Sequence, residues 1–375
     1  MTVTRAIALQ LLTPIVIGTR VVPNRVAMAP MTREQAPGGV PTPAIADYYA
    51  RRAAGRVGLI ITEGVGVNRA GSFGSSIPRL YGPDVAAGWR EVTAAVHAHG
   101  SLIIAQLWHV GAFCPSLIGM EASWSAATER LSPSGVAAPG RPFGRAMTIA
   151  EIESTIADFA AAAAAARAAG FDGVELHAAH GYLIDQFLWA ETNQRSDRYG
   201  GTAERRLTFA LELVRAVRAA TAPDFIVSLR LSQWKQLDYG ARLADDPQQL
   251  AAIVVPLAEA GVDLFHASTR RFWEPEFAGD PRNLAGWIRA LSGKPAMTVG
   301  SVTLGTDFKE PSGKIRADVA LDHLDLIEAG LAGGDWDMIA IGRALLANPD
   351  WVRLVAAGHS DELRIFEKPM LDRLQ

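Results

Sequence analysis

A single cysteine, Cys114, is present in 375 residues, which excludes an internal disulfide and any thiolate-held zinc or iron–sulfur centre. Charge is scarce as well: Lys, Arg, Asp and Glu make up 20% of the chain and nearly cancel at a formal −3, so there is no basic field for nucleic acid or an anionic membrane. Long apolar runs are missing; the alanine stretch 160–166 is short, weakly apolar and stopped by Arg167, so it cannot cross a bilayer. Residues 1–10 lack the basic-then-apolar layout of a secretory signal. The expectation is a soluble cytoplasmic protein, monomer or small homo-oligomer, whose partners are small molecules rather than nucleic acid or membrane.

What the chain does have is 49% hydrophobic content and a regular alternation of short apolar runs with longer amphipathic ones. Strands are predicted at 26–30, 59–63, 102–108, 173–177, 226–231, 264–268, 296–300 and 338–342. Most read as continuous apolar runs, the pattern of parallel strands buried on both faces. Helical patterns fill the intervals at 43–54, 85–99, 148–169, 202–220, 247–260, 283–291, 317–332 and 349–356. Ala169-Gly170, Ala260-Gly261 and Ala329-Gly330 read as glycine stops. Eight strand–helix alternations predict an α/β fold, a closed (β/α)8 TIM barrel in one domain spanning 1–375. The surplus over a bare barrel is concentrated in the Pro/Gly/Ser-rich stretch 110–146, expected to be an extended lid loop after the third strand.

Catalytic groups of such barrels stand at the C-terminal ends of the strands. There the chain places Ala29-Pro30-Met31-Thr32-Arg33, then Thr62-Glu63-Gly64, then Gln106-Leu107-Trp108-His109. The fourth strand runs into His177, His180 and Tyr182; Arg230, Gly300-Ser301 and Gly342-Arg343 follow on the fifth, seventh and eighth. Two imidazoles and a phenol suit the gripping of a carbonyl oxygen and protonation of a nearby carbon. Two histidines three apart also suit a metal pair, or polar groups that merely end a strand. The last glycines with Arg343 match the usual barrel phosphate site. Taken as a ring, the set is what a flat, polar, redox-active ring system needs: a small residue for close approach, amide and hydroxyl partners, and a fixed cation.

Over essentially its whole length the chain resembles the old yellow enzyme family of FMN-dependent ene-reductases. The resemblance rests on Asn24 to Arg33, on Ile104-Ala105-Gln106-Leu107-Trp108-His109, on Asp185-Gln186-Phe187-Leu188 with Asn193 to Gly201 and Glu204-Arg205-Arg206, and on Ile341 to Pro349. It implies non-covalent FMN and NADPH or NADH as reductant. Pro30, Met31, Thr32, Gly64, Gln106 and Arg230 would surround the flavin ring, with Gly300, Ser301, Gly342 and Arg343 at its phosphate end. His177 and His180 would hold the oxygen of an electron-poor alkene, Tyr182 would supply a proton, and no metal would be needed. Trp108, Phe272 and Trp273 are expected around the substrate, although Phe272 and Trp273 also suit packing beneath the lid. Arg270 and Arg271 suit attraction of an acidic substrate, but are expected rather to pair with Glu274 and Glu276. Gly64 departs from the alanine common in relatives, Ala112 from an arginine, and Gln233-Trp234-Lys235 is unusual.

Two other readings compete. A metal-dependent barrel hydrolase would use His177, His180, Glu175 and either His109 or His266, but leaves Gln106, Arg230 and Arg343 without a task. A non-catalytic flavin-binding redox partner would leave Tyr182 and the histidine pair without one.

Overall fold

Eight parallel strands close on themselves in the computed structural model, which describes residues 10–113, 129–304 and 319–374. They are β1 (Val26–Met28), β2 (Leu59–Gly66), β3 (Leu102–Trp108), β4 (Gly173–His180), β5 (Ile226–Lys235), β6 (Leu264–Ser268), β7 (Ala296–Val299) and β8 (Met338–Ile341). They pair in chain order, and β8 returns to β1 with Ile341 opposite Met28. The outer layer comprises α1 (Pro43–Ala54), α2 (Ala86–His97), α3 (Ile149–Ala168), α4 (Leu183–Leu188), α5 (Ala203–Ala220), α6 (Pro247–Ala260), α7 (Leu284–Ser292), α8 (Asp322–Gly333), α9 (Arg343–Ala347) and α10 (Trp351–Ala357). The predicted TIM barrel is therefore the observed fold. No helix among the described residues is long and apolar enough to cross a membrane.

Alternation along the strands divides the core in two. Ala27, Leu59, Ile61, Ile104, Ile226, Leu264, Met297 and Met338 fill the barrel interior, while neighbouring positions such as Ile60, Ile103, Val174 and Val227 pack outward beneath the helices. A hairpin of Ile15–Ile17 and Arg20–Val22 closes the N-terminal mouth, with Ile17 and Val22 buried in the interior cluster. Helix starts follow their caps. Thr148 forms a reciprocal capping box with Glu151, and Thr202, Asp246 and Asn283 each accept from an amide of the first turn.

Several boundaries differ from the sequence prediction. β2, β4 and β5 outrun their apolar stretches, because polar residues continue the ladder toward the top of the barrel. Between Ala178 and His180 the β4–β5 register shifts: these two residues pair with Leu231 and Lys235, so β5 carries extra residues there. Gly170 and Gly261 do stop α3 and α6 with positive φ, but Gly330 does not stop α8, which runs on to Gly333. Gly330 is required for space instead, since a Cβ there would overlap the Trp336 ring. Of the long stretch 110–146, residues 131–146 form two small two-stranded ladders, and Arg130 donates to Ala70 O and Ser72 O. Cys114 lies outside the described residues.

Candidate active site

The C-terminal ends of the strands surround a cavity of about 800 Å³. Pro30, Met31, Thr32, Gly64, Gln106, Trp108, His177, His180, Tyr182, Arg230, Gly300, Ser301, Gly342 and Arg343 all line it, so residues spread over more than 300 positions of sequence meet in one place. Register explains the gathering. One row across the sheet runs Gly64, Gln106, Glu175 and Ser228; the next row on that side holds His177 beside Arg230 and Arg230 beside His266.

The base of the cavity is a buried polar network. Glu175 accepts from Gln106 Nε2 at 2.8 Å and Ser228 Oγ at 3.2 Å, and meets His266 Nδ1 at 2.8 Å. Burial pushes the Glu175 carboxyl upward, but His266, Arg230 and Gln106 together outweigh it and hold the group ionised. Because Gln106 spends its amide N–H on Glu175, its carbonyl oxygen is left for a donor. Arg230 supplies the compensating cation, and its Nε is buried without a protein partner among the described residues, as are His177 Nδ1 and Trp108 Nε1.

Above this base stand the three groups singled out in the sequence. Ring centroids of His177 lie 5.0 Å from those of His180 and 4.9 Å from those of Tyr182, and Trp108 meets Tyr182 edge-on at 5.0 Å. Burial holds both imidazoles well below their usual pKa, and neighbouring Arg230 adds to the shift, so both are neutral near pH 7. Burial likewise pushes the Tyr182 phenol up, so it keeps its proton until a stronger base forms nearby. The backbone is strained at this wall: His180 has φ 67, and the lining residues Glu34 and Ser301 have φ 54 and 53. The strain at His180 is held by Ser232 Oγ, which accepts its amide at 2.9 Å, and by Asp185, which accepts the Gly181 amide at 2.6 Å. Asp185 is itself paired with buried Lys235 at 2.7 Å.

Gly64 now has a physical reason. A Cβ at this position would collide with the six-membered ring of Trp108, so the glycine is what lets the indole lie against β2. Trp108 in turn stacks on Phe73 at 5.1 Å, which packs on Phe113.

Two expectations are corrected. Phe272 and Trp273 do not line the cavity: Phe272 is fully buried in the outer core, where it packs against Trp273, His323 and Trp336 beneath α8. Arg271 does pair with Glu274 at 2.9 Å, but Glu276 is taken by Arg242 and Gln233. Arg270 lines the cavity and lies over the Tyr239 ring. Among the described residues no three His, Cys, Asp or Glu side chains stand together in a metal-holding group, and Glu175 and His266 are engaged with each other below His177.

Sequence reasoning missed a whole wall. Trp234 stacks on His180 at 4.3 Å, Tyr239 stacks on Trp234 at 5.4 Å, and Tyr239 donates to Gln236 at 3.3 Å. The only sequence signal was the oddity of Gln233-Trp234-Lys235. Glu63 stood among the strand-end residues but was given no role. It accepts from the amides of Arg33 and Glu34 at 2.8 and 3.2 Å, and so pins the loop that carries Thr32. Burial raises its pKa to about 7. An acid whose pKa is raised on folding stabilises the native state at low pH and loses that contribution as pH rises. Between about pH 4.5 and 7 the wild type is therefore expected to lose on the order of 2–3 kcal/mol relative to Glu63→Gln. Urea midpoints of the two proteins across this range check it, and parallel curves contradict it.

Comparison with known proteins identifies the family. Residues 10–362 match the NADH:flavin oxidoreductase / NADH oxidase family. The chain is 38% identical over 345 residues to chanoclavine-I aldehyde reductase of Penicillium roqueforti, covering 91% of this chain and 87% of that protein. The structure of morphinone reductase in complex with tetrahydroNAD superposes with a TM-score of 0.79 at 29% identity, over 96% of this chain and 93% of that one. The old yellow enzyme homologue of Zymomonas mobilis gives 0.77 at 29% identity, over 97% and 96%. A flavin-dependent oxidoreductase barrel is the class so defined. The chain belongs to the NADH:flavin oxidoreductase family, the old yellow enzymes, with FMN as cofactor and a nicotinamide as reductant.

Proposed function

We propose that this protein reduces carbon–carbon double bonds conjugated to a carbonyl, imide or nitro group, in a single catalytic unit formed by the whole barrel. The observation that carries the reading is the convergence of two neutral imidazoles and a protonated phenol, His177, His180 and Tyr182, in one cavity with buried Arg230 and Gln106. The cavity fits FMN on this chain's own atoms. It has a buried cation, Arg230, whose Nε lacks a protein partner among the described residues, an amide with its carbonyl oxygen left over, a glycine at position 64, and Gly300, Ser301, Gly342 and Arg343 along one side.

When bound, FMN supplies the hydride, taken from NADH or NADPH and delivered to the β-carbon of the acceptor. His177 and His180 then hold the acceptor oxygen and stabilise the negative charge that grows on it. Tyr182 protonates the α-carbon; its high pKa keeps the proton in place beforehand, and the enolate is basic enough to take it. Thr32, Gln106 and Arg230 would hold the polar edge of the cofactor, and Arg230 would balance its negative charge when reduced. One cavity serves nicotinamide and acceptor in turn, which predicts ping-pong kinetics. An aldehyde reductase among the relatives is consistent with a carbonyl oxygen in the clamp.

Purified protein is expected to be yellow and to oxidise NADH or NADPH anaerobically at a rate set by an added enone, maleimide or nitroalkene. A colourless protein, or a flavoprotein whose nicotinamide oxidation no member of that panel accelerates, sinks the proposal.

A further inference from the structure

The last residue of β6, Ser268, is buried at the cavity wall and touches both halves of the site. Its Oγ accepts from Arg230 Nη2 at 3.1 Å and lies 2.8 Å from His180 Nε2. Its carbonyl accepts from Trp234 Nε1 at 3.0 Å, and the Trp234 ring stacks on His180 at 4.3 Å. The serine and the imidazole are thus held in register from two directions.

Proton accounting decides who donates. A guanidinium can only donate, so the contact with Arg230 uses a lone pair of Ser268 Oγ and leaves the hydroxyl one hydrogen to place. If His180 Nε2 carried a proton, the serine would accept twice and its own hydrogen would be buried without an acceptor, at a cost of about 1–3 kcal/mol. If Ser268 donates to Nε2, its hydroxyl is satisfied in both directions. His180 Nε2 is then an acceptor, and the single imidazole proton must reside on Nδ1, the nitrogen left for a cavity ligand.

We infer that Ser268 is a positioning residue that fixes the tautomer of His180, presenting Nδ1–H to the acceptor oxygen. The inference rests on the role proposed above for His180 as an oxygen donor. It adds a reason why an uncharged imidazole at this position acts as donor rather than acceptor. The opposite tautomer would turn a lone pair toward an electron-rich oxygen and repel it. Ser268→Ala removes the bias, whereas Ser268→Thr keeps a hydroxyl at the same place.

The test is ¹⁵N NMR of the FMN-loaded protein labelled at histidine, with His180 assigned by its loss in His180→Asn. Wild type and Ser268→Thr are expected to carry the His180 proton on Nδ1, and Ser268→Ala to shift it toward Nε2. Binding of a para-substituted phenol, followed by flavin absorbance, is expected to weaken by roughly 10- to 100-fold in Ser268→Ala and to recover in Ser268→Thr. A wild-type proton on Nε2, a tautomer unchanged in Ser268→Ala, or equal loss of phenol binding in both variants overturns the inference. Failure of the functional reading shows differently, as absent FMN or absent acceptor-driven nicotinamide oxidation in the wild type.

Discussion

Tyr182→Phe is expected to slow enone reduction by about 100- to 10,000-fold, the range ordinarily lost with a positioned general acid, while reduction of bound FMN by nicotinamide changes by no more than about threefold. The asymmetry follows from where the phenol is used. Hydride transfer from nicotinamide to flavin needs no proton from the protein at carbon. Saturation of the alkene does, and Tyr182 is the phenol that the site keeps protonated by burial between Trp108 and His177. Phenylalanine preserves both ring contacts, so packing is not what changes. Stopped-flow measurement of the two half-reactions separates them, and equal slowing of both removes Tyr182 from the proton-donor role.

Lys235→Met is expected to destabilise the fold by about 3–5 kcal/mol, the usual consequence of stranding one partner of a buried ion pair. Lys235 and Asp185 are 1% and 0% exposed at the side chain and 2.7 Å apart, so the remaining carboxylate would have no water to solvate it. Burial already pushes Asp185 upward and Lys235 downward in pKa, which means each depends on the other to stay charged. Adding Asp185→Asn to Lys235→Met is expected to recover most of the loss. The amide is neutral and its oxygen still accepts the Gly181 amide. Urea unfolding of wild type, both single variants and the double variant completes the cycle. Additive losses would mean the two residues act independently. Because the pair anchors the strained turn at His180 and Gly181, the single variants are also expected to weaken phenol binding.

How much of this could be read from residues alone depended on whether the signal was periodic or solitary. The eight strands were legible because a parallel strand buried on both faces is an apolar run, and apolar runs stand out in sequence. The chemical groups were legible because they follow those runs directly, at strand ends. What failed was whatever tertiary contact decides. The ladder beyond Ala178 persists through polar residues held by Ser232 and Asp185, so the apolar run ended before the strand did. Gly330 resembled a helix stop but makes room for Trp336. Phe272 looked like a cavity residue because it follows β6, yet its ring turns outward beneath α8. Ser268 and Glu63 act through two or three hydrogen bonds each, and such contacts leave no pattern in a sequence.

The hairpin of Ile15–Ile17 and Arg20–Val22 stoppers the barrel at the end opposite the chemistry. Strand length separates it from the cavity, and Val16 and Val21 face solvent while Ile17 and Val22 plug the interior. The molecule therefore has two ends that can be altered independently. Changes at the stopper shift how firmly the barrel stays closed, changes at the rim shift what it reacts with, and effects from the two ends should simply add. A lineage could lose stability while altering the rim and regain it at the stopper, leaving the catalytic groups in place.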